Sequence, residues 1–217
     1  MIDWSKIGSV FLDLDGTLLD LRFDNHFWLE YVPQCYAEKY GIPLEDSHKT
    51  LQQKYSAAYG SLNWYCVDYW SRELGLDIAS LKQQIREKIA IRPHVEEFLE
   101  ALHMQGKRVL LVTNAHPLSF EIKLQHTGLG RYFNRIITSH ELHYPKEEAE
   151  FWRKLEQIEP VDKARTLFID DNFAVLDAAA EYGIQHLLAI RRPDSGQPDK
   201  EHPHYTLLDS FRDITPR

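Results

Sequence analysis

Short apolar runs alternate with amphipathic stretches along the second half of the chain, and this alternation constrains the fold more than any other feature. Four runs have the length and the β-branched or leucine-rich composition of strands: RVLLVT at 108–113, RIITS at 135–139, TLFID at 166–170 and HLLAI at 186–190. The stretches between them have the periodicity of helices. Because strands that alternate with helices form parallel sheets with helices on both faces, the sequence predicts an α/β fold.

Proline and glycine mark the limits of the predicted helices. One helix is expected from Pro93, with proline in the first helical position, and others from Pro117 and Pro145. A further helix is expected to end at Gly183, since glycine suits the C-terminal cap of a helix. The remaining apolar run, VFLDLD at 10–15, is then one more strand of the same sheet.

The stretch 18–90 differs from the rest of the chain. It contains no clear strand, several helical patterns and a high density of aromatic residues. We therefore predict an all-helical insertion between the first strand and the remainder of the α/β core. Insertions that lie over strand ends commonly form lids. The polar, proline-rich segment 193–204 is predicted to be a surface excursion.

The charge of the chain restricts its partners. With 25 Lys and Arg against 33 Asp and Glu, the formal net charge is −8, which argues against binding to nucleic acid or to an anionic membrane. The first ten residues have no secretory pattern, and no apolar run approaches the roughly 20 residues that span a bilayer. We expect a cytoplasmic location and a small-molecule substrate, and we infer no protein partner.

Cysteine and histidine give no sign of a metal site in the sequence. Cys35 and Cys66 are the only cysteines, which is too few for a disulfide framework, and their spacing is not that of metal ligands. We interpret both as reduced and structural. The 11 histidines show no paired ligand spacing either, and most are expected at the surface or at helix ends.

Polar side chains follow several of the predicted strands. In open α/β sheets ligands bind at the carboxyl ends of the strands, so these residues are the candidates for a functional site. Asp13 and Asp15 are two positions apart in an extended run, and we expect them to point to the same face. The complete set is Asp13, Asp15, Thr113, Asn114, Lys146, Asp170 and Asp171.

The acids of this set indicate a divalent cation. Two carboxylates as close as those of Asp13 and Asp15 repel each other, and one is difficult to ionise unless a cation intervenes. Asp170 and Asp171 add a second pair. Oxygen-only ligands favour Mg²⁺ over softer metals, and Mg²⁺ is usually bound together with phosphate oxygens. The cluster therefore predicts a magnesium site.

The other residues of the set suit a phosphate group. Thr113 and Asn114 offer hydroxyl and N–H donors, and Lys146, expected near the start of a helix, offers a positive charge. Together with the metal they would allow an acidic protein to bind an anion. The predicted reaction is phosphoryl transfer: Asp13 attacks phosphorus to form an aspartyl-phosphate, and Asp15 acts as acid and then as base.

These residues resemble the ordered motifs of a known family. DLDGT at 13–17, the strand that ends in Thr113, the loop lysine Lys146 and the acid pair in FIDDN at 168–172 are similar to the motifs of the haloacid dehalogenase (HAD) superfamily of phosphatases. One departure is that Lys146 follows Pro145, whereas the family commonly has the order Lys-Pro.

The resemblance implies a fold and a set of roles. The fold is a Rossmann-like core of residues 1–17 and 91–217 with a helical cap, 18–90, that sets substrate specificity. Asp13 would be the nucleophile and a metal ligand, and Asp15 the acid and base that also lends its backbone carbonyl to the metal. Asp171 matches the acid that coordinates the metal directly, and Asp170 matches its neighbour.

A narrower resemblance is to purine 5′-nucleotidases that act on GMP and IMP. It extends over nearly the whole chain, in LDGTLLDLRFDNHFW, LNWYCVDYWSRELGLDI, LVTNAHP, KLQHTGL, YPKEEAEFW and TLFIDDN. It implies a Mg²⁺-dependent phosphomonoester hydrolase for purine nucleoside monophosphates. Asn63, Trp64 and Tyr65 are candidates to line a slot for the purine, although aromatic residues on a helix more often pack against other helices.

Three alternatives stay open. A phosphatase or phosphomutase for small sugar phosphates would share every motif, but a mutase needs a bisphosphate activator. A haloacid dehalogenase attacks carbon without Mg²⁺, which would leave Asp15 and the pair Asp170-Asp171 without an evident role. A non-catalytic phosphate-sensing module would not need both Asp13 and Asp15 together with Lys146.

Overall fold

A parallel sheet of six strands lies at the centre of the computed structural model, which describes residues 2–216. The strands are β1 (Ser9–Leu12), β2 (Arg108–Thr113), β3 (Arg135–Thr138), β4 (Thr166–Asp170), β5 (His186–Ile190) and β6 (Leu207–Leu208). Their order in the sheet is β3-β2-β1-β4-β5-β6, and all neighbouring strands are parallel. The predicted α/β class is confirmed, and each run predicted in the second half of the chain is a strand.

Both faces of this sheet are buried. Successive side chains of a strand point to opposite faces, and in β1 Val10 and Leu12 join one apolar cluster whereas Phe11 joins the other. The same division holds in β2, where Leu111 lies on the first face and Leu110 on the second. Because neither face meets water, the strands are continuous apolar runs rather than alternating ones.

Helices of the second half of the chain cover these faces. They are α7 (Val95–Met104), α8 (Pro117–Thr127), α9 (Ser139–Leu142), α10 (Ala149–Ile158) and α11 (Phe173–Tyr182), with 3₁₀ turns at Leu129–Tyr132 and Phe211–Asp213. The first face packs against α7, and the second against α9, α10 and α11. Across residues 2–216, no helix is both long and apolar enough to cross a membrane.

The regular elements between β1 and β2 are all helical. They are α1 (Arg22–His26), a π-helical segment (Phe27–Tyr31), α2 (Val32–Tyr40), α3 (Leu44–Ala58), α4 (Leu62–Tyr65), α5 (Val67–Leu74), α6 (Ile78–Gln84) and a 3₁₀ turn (Arg86–Lys88), followed by α7. Trp70 is buried at their centre, with the rings of Trp28, Tyr55 and Trp64 within 6.4 Å of its own. The division of the chain into a core, 1–17 and 91–217, and a cap, 18–90, stays a prediction.

The chain leaves the sheet for this helical insertion and returns to it at adjacent positions. The N–H of Asp20 donates to the carbonyl of Ala90 at 2.9 Å, and the N–H of Arg92 donates to the carbonyl of Leu18 at 3.0 Å. The two connections are therefore hydrogen-bonded to each other, and the insertion begins and ends at one place above the sheet.

Two details of the predicted helix starts are wrong. Pro93 lies outside α7, because His94 takes a left-handed conformation (φ 63°) immediately before the helix. Pro145 lies four positions before α10, because it forms a separate turn with Glu148, whose N–H donates to the Pro145 carbonyl at 3.0 Å. Pro117 does begin α8, and Gly183 caps α11 with φ 109°, as predicted.

The run 10–15 is a strand only as far as Leu12. The N–H groups of Leu18 and Leu19 both donate to the carbonyl of Leu14, at 3.0 and 2.8 Å, and this turns the chain away from the sheet. The Asp13-Leu14-Asp15 stretch thus belongs to a loop at the end of β1 rather than to the strand itself. Loop geometry, rather than the strand geometry expected, places the two acids, and both line the same cavity.

Candidate active site

A cavity of about 540 Å³ opens at the carboxyl ends of the strands. It lies where the chain order reverses, between β1 and β4, which is the place where open α/β sheets bind ligands. Its volume is within the range of small-molecule sites. All of the predicted site residues line it: Asp13, Asp15, Thr113, Asn114, Lys146, Asp170 and Asp171.

Lys146 connects two of the acids at the floor of the cavity. Its ammonium group donates to Asp13 Oδ1 at 2.7 Å, to Asp170 Oδ2 at 2.6 Å and to the carbonyl of Val112 at 3.1 Å. The lysine side chain is 2% exposed, and the two acids are also buried. Three acceptors saturate the three N–H bonds of the ammonium group. Its position after Pro145 therefore does not prevent it from reaching the site.

Three aspartates converge beside this lysine. The carboxylate oxygens of Asp13, Asp170 and Asp171 lie within 4.8 Å of one another. Burial, together with the charges of the neighbouring acids, raises the pKa of each to about 6, because Lys146 and Lys200 offset only part of the effect. A site that resists ionisation in this way lacks positive charge. An all-oxygen donor set with that property fits a hard divalent cation.

Gly16 allows the loop after β1 to approach these acids. It has φ 84°, and a Cβ at this position would lie 2.8 Å from Asp171 Cγ. Both the backbone conformation and the close contact therefore require glycine. The position of the Asp171 carboxylate depends on that absence of a side chain.

Substitution of Gly16 tests its two roles, the left-handed backbone conformation and the close approach to Asp171. Gly16→Ala is expected to lower the free energy of unfolding by about 1–2 kcal/mol through its backbone conformation, and to lower phosphate release about 10²-fold because the Asp171 carboxylate is displaced. Gly41→Ala is the matched control, since Gly41 has φ 63° but a Cβ added there would meet no atom within 4 Å. Chemical denaturation and a phosphate-release assay check both. Equal loss of activity in the two variants would contradict the assigned role of the Gly16 contact.

Asp15 belongs to a second cluster of charges. Lys123 Nζ forms an ion pair with Asp15 Oδ1 at 2.7 Å and donates to Asp24 Oδ2 at 2.6 Å. Lys82 donates to Asp24 Oδ1 at 2.8 Å. Burial and then the charge of Asp24 raise the pKa of Asp15 to about 6, although Lys123 opposes this. Burial also disfavours ionisation of Asp24, but Lys123 and Lys82 outweigh it and lower the pKa of Asp24 to about 2. Asp15 is thus the acid of this cluster that holds a proton most readily.

Thr113 and Asn114 are both buried, and their side chains already have partners. Thr113 Oγ1 accepts the N–H of Ala115 at 3.0 Å. Asn114 Oδ1 accepts the backbone N–H of Lys146 at 2.9 Å, and Asn114 Nδ2 donates to Glu147 Oε2 at 2.9 Å. The amide of Asn114 therefore holds the loop that carries Lys146. Lys146 lies near a helix start, as predicted, three positions before the first residue of α10.

Glu147 joins this loop to the helical insertion. The hydroxyl of Tyr65 donates to Glu147 Oε1 at 2.5 Å, and Asn172 Nδ2 donates to the same oxygen at 3.2 Å. Burial and then Glu147 raise the pKa of Tyr65, so its hydroxyl keeps its proton. One carboxylate thus connects the insertion with the loops that follow β3 and β4.

The segment 193–204 does more than cover the surface. Lys200 Nζ donates to the carbonyl of Asp171 at 2.8 Å and to Asp171 Oδ2 at 3.1 Å. Asp194, 5% exposed, accepts from Asn25 Nδ2 at 2.6 Å. The predicted excursion therefore folds back over the cavity and contacts both the acid cluster and the insertion.

Aromatic side chains of the insertion form the outer wall of the cavity. Trp64 and Tyr65 are among them, as proposed from the sequence, together with Trp28, Tyr55 and Tyr59. Trp64 also packs against Tyr55 and Tyr59 with near-perpendicular rings. Within the described chain, Asn63 is exposed and is not part of the wall.

Several charged residues of the site could not be identified from the sequence. Lys123 and Asp24 are 99 positions apart, and Lys82 and Asp24 are 58 apart, so no short motif joins them. The sequence holds one sign that Lys123 is buried. In α8, Lys123 lies four positions after Ser119, and both residues are on the buried side of the helix. Lys200 lies in a polar stretch with no comparable signal.

Comparison with known proteins agrees with this geometry. The sequence profile of the haloacid dehalogenase-like hydrolases matches residues 7–183. The GMP/IMP nucleotidase YrfG of Escherichia coli strain K12 is 40% identical over 215 residues, which cover 99% of this chain and 97% of the nucleotidase.

Solved structures show the same fold at lower identity. The HAD phosphatase from Thermococcus onnurineus has a TM-score of 0.80 with 21% identity, and the match covers 96% of each chain. The L-2-haloacid dehalogenase from Xanthobacter autotrophicus has a TM-score of 0.65 with 17% identity over 96% of this chain and 97% of its own. The profile match and the 40% identical relative together show that the chain belongs to the haloacid dehalogenase-like hydrolase family and is a phosphatase.

Proposed function

We propose that the protein is a Mg²⁺-dependent 5′-nucleotidase that hydrolyses purine nucleoside monophosphates such as GMP and IMP. The observation that carries the proposal is the 40% identity to a GMP/IMP nucleotidase over 99% of the chain. This identity includes the helical insertion, whose aromatic residues line the cavity above the acids. A relative that matched only the strand ends would support a phosphatase but no particular substrate.

In this proposal Asp13 is the nucleophile. Its carboxylate lies at the floor of the cavity, where Lys146 fixes one oxygen at 2.7 Å. The other oxygen attacks phosphorus, the bond from phosphorus to the 5′ oxygen breaks, and an aspartyl-phosphate forms. Lys146 and the donors around Thr113 would stabilise the charge of the transferring group.

Asp15 is proposed as the acid and base of the reaction. It would donate its proton to the leaving 5′ oxygen and then take a proton from the water that hydrolyses the aspartyl-phosphate. A pKa of about 6 suits both tasks near neutral pH. Lys123 holds Asp15 Oδ1 at 2.7 Å and would thereby orient the other oxygen towards the substrate.

The acids at the floor would hold the magnesium ion. The proposed ligands are Asp13 and Asp171, with Asp170 beside them and the backbone carbonyl of Asp15 as a further donor. When bound, the cation would neutralise charge on the phosphate and on the acids. The raised pKa values of Asp13, Asp170 and Asp171 support this assignment, since each acid lacks a sufficient counter-charge.

The aromatic wall would receive the purine. A planar base stacks well on aromatic rings, and such contacts are worth about 1–3 kcal/mol per base. Tyr59 is 75% exposed at the rim of the cavity although its ring is large and apolar. We propose that the insertion acts as a cap that selects the substrate, and that the protein works in the cytoplasm.

A substrate panel tests the proposal. We expect Mg²⁺-dependent phosphate release from GMP and IMP with kcat/KM at least about 10-fold above that for sugar phosphates, because one good aromatic contact is worth that much. EDTA should abolish release and added Mg²⁺ should restore it. Turnover that persists in EDTA, or a clear preference for a sugar phosphate, would reject the nucleotidase proposal. A requirement for a sugar bisphosphate activator would indicate a phosphomutase.

A further inference from the structure

A second group of potential metal ligands shares no residue with the acid cluster. Potential ligand atoms of Cys66, His116 and His140 lie within 4.8 Å of one another. The rings of His116 and His140 are perpendicular, with centroids 4.6 Å apart. Because these positions are far apart in the sequence, no spacing pattern joins them.

The hydrogen bonds around His140 leave one of its nitrogen atoms available. The single hydroxyl proton of Ser139 is donated to the carbonyl of Asn114 at 3.1 Å. The contact of Ser139 Oγ with His140 Nδ1 at 3.4 Å therefore assigns the imidazole proton to Nδ1. His140 Nε2 then carries a free lone pair, yet it is buried and has no hydrogen-bond partner among residues 2–216.

A buried lone pair without a partner is unfavourable, and a metal ion would satisfy it. Metal-bound histidines commonly donate their other N–H to an oxygen, which is the arrangement that Ser139 provides for His140. His140 is therefore already in the tautomeric form of a ligand.

The other two side chains are held in place as well. Cys66 precedes α5, and its sulfur accepts the N–H of Tyr69 at 3.4 Å. His116 precedes α8, and its Nδ1 accepts the N–H of Leu118 at 3.3 Å. Its Nε2 faces the carboxylate of Asp68, 3.6 Å away. Asp68 is not part of the group of atoms within 4.8 Å, but it is exposed and lies in the same short segment as Cys66, so a rotation of its side chain would bring it to the ion as a fourth ligand.

We infer that Cys66, His116 and His140 form a second metal site for a zinc-type divalent cation, with Asp68 as the fourth ligand. One thiolate, two imidazoles and one carboxylate suit Zn²⁺ and are a poor match for Mg²⁺. Binding would release the thiol proton of Cys66 to solvent. It would also move the proton of His116 from Nε2 to Nδ1, which gives up the long contact with Leu118.

A metal ion at this position would cross-link two parts of the structure. Cys66 and Asp68 belong to the helical insertion, whereas His116 and His140 follow β2 and β3. A bound ion would link the insertion to the ends of these strands. Val67 and His116 also line the cavity, so the link would lie at its edge.

Cobalt(II) is the probe that tests the inference. Metal-free full-length protein is titrated with Co²⁺, and a thiolate ligand produces a strong sulfur-to-cobalt charge-transfer band that carboxylate-bound cobalt lacks. We expect the band at one equivalent, its displacement by Zn²⁺, and loss of about 100-fold or more in Zn²⁺ affinity for Cys66→Ser and for His140→Gln, because each removes a ligand.

Cys35→Ser is the matched control, since Cys35 is the other free, partly buried cysteine. It should keep the band, and Asp13→Asn should keep it too because the acid cluster is a separate site. Circular dichroism verifies that each variant is folded. No thiolate band in the wild type, or a band that survives in Cys66→Ser, would overturn the inference. None of these readouts depends on phosphate release, so the result is separate from the nucleotidase proposal.

Discussion

Replacement of Asp13 by asparagine is expected to reduce phosphate release by about 10³-fold or more while the protein stays folded. The amide keeps the size of the carboxylate but cannot form the covalent intermediate. Folding should survive because Lys146 keeps its 2.6 Å ion pair with Asp170. Initial rates with GMP and a thermal denaturation curve measure the two parts of this expectation.

Asp177→Asn provides the control for this prediction. Asp177 is an aspartate of α11 that lies outside the cavity and accepts the hydroxyl proton of Tyr205 at 2.6 Å. Its replacement should leave kcat within about twofold of the wild-type value, as for other changes remote from a site. An Asp13→Asn enzyme that retained a tenth of wild-type activity would show that another group attacks the phosphate.

Lys146→Met is expected to have the largest effect on stability. Methionine fills a similar volume but leaves two buried carboxylates without their shared cation. Removal of one partner of a buried ion pair typically lowers the free energy of unfolding by about 3–5 kcal/mol. Phosphate release should be lost as well, since Lys146 is the buried cation that contacts Asp13. Urea denaturation in EDTA measures the first effect.

The loss should depend on pH in a defined direction. Without Lys146, the pKa values of Asp13 and Asp170 in the folded state rise further above the unfolded value of 3.8. A group with a raised folded pKa contributes stability below its unfolded pKa and loses it as pH rises through the folded pKa. The deficit of Lys146→Met should therefore be larger at about pH 8 than at about pH 5.

The control for Lys146→Met is a lysine whose ion pair is exposed. Lys49 pairs with Glu45 at 2.8 Å, with side chains 64% and 80% exposed. Lys49→Met should change the free energy of unfolding by no more than about 0.5 kcal/mol, because exposed pairs of this kind contribute little. Equal deficits for the two variants, or a deficit for Lys146→Met that shrinks as pH rises, would contradict the buried-pair account.

The strands could be predicted from the sequence because burial on both faces makes each of them an uninterrupted apolar run. β2 and β4 have the predicted limits for this reason. The helix starts were harder to predict. Proline is equally suitable in a turn that precedes a helix and in the first position of the helix. Pro93 and Pro145 both lie in such turns, and local sequence does not distinguish the two arrangements.

The predicted site residues shared a property that sequence can reveal, since each lies at or after the end of a strand. The charged residues that were missed come from helices and from segment 193–204, and they reach the cavity only through tertiary packing. Lys123 contacts Asp15 and Asp24 from the middle of α8. Which helix face meets the insertion depends on the packing of the whole molecule, and that information is not local.

The paired connections at 18–20 and 90–92 have an evolutionary consequence. Since the outgoing and returning segments of the chain are hydrogen-bonded to each other, the helices between them can be lengthened, shortened or exchanged without moving the ends of β1 and β2. If the insertion selects the substrate, as proposed, mutation there can alter substrate range while the aspartates stay in register. Diversification of such enzymes is expected to concentrate in the inserted helices, and the sheet should change slowly.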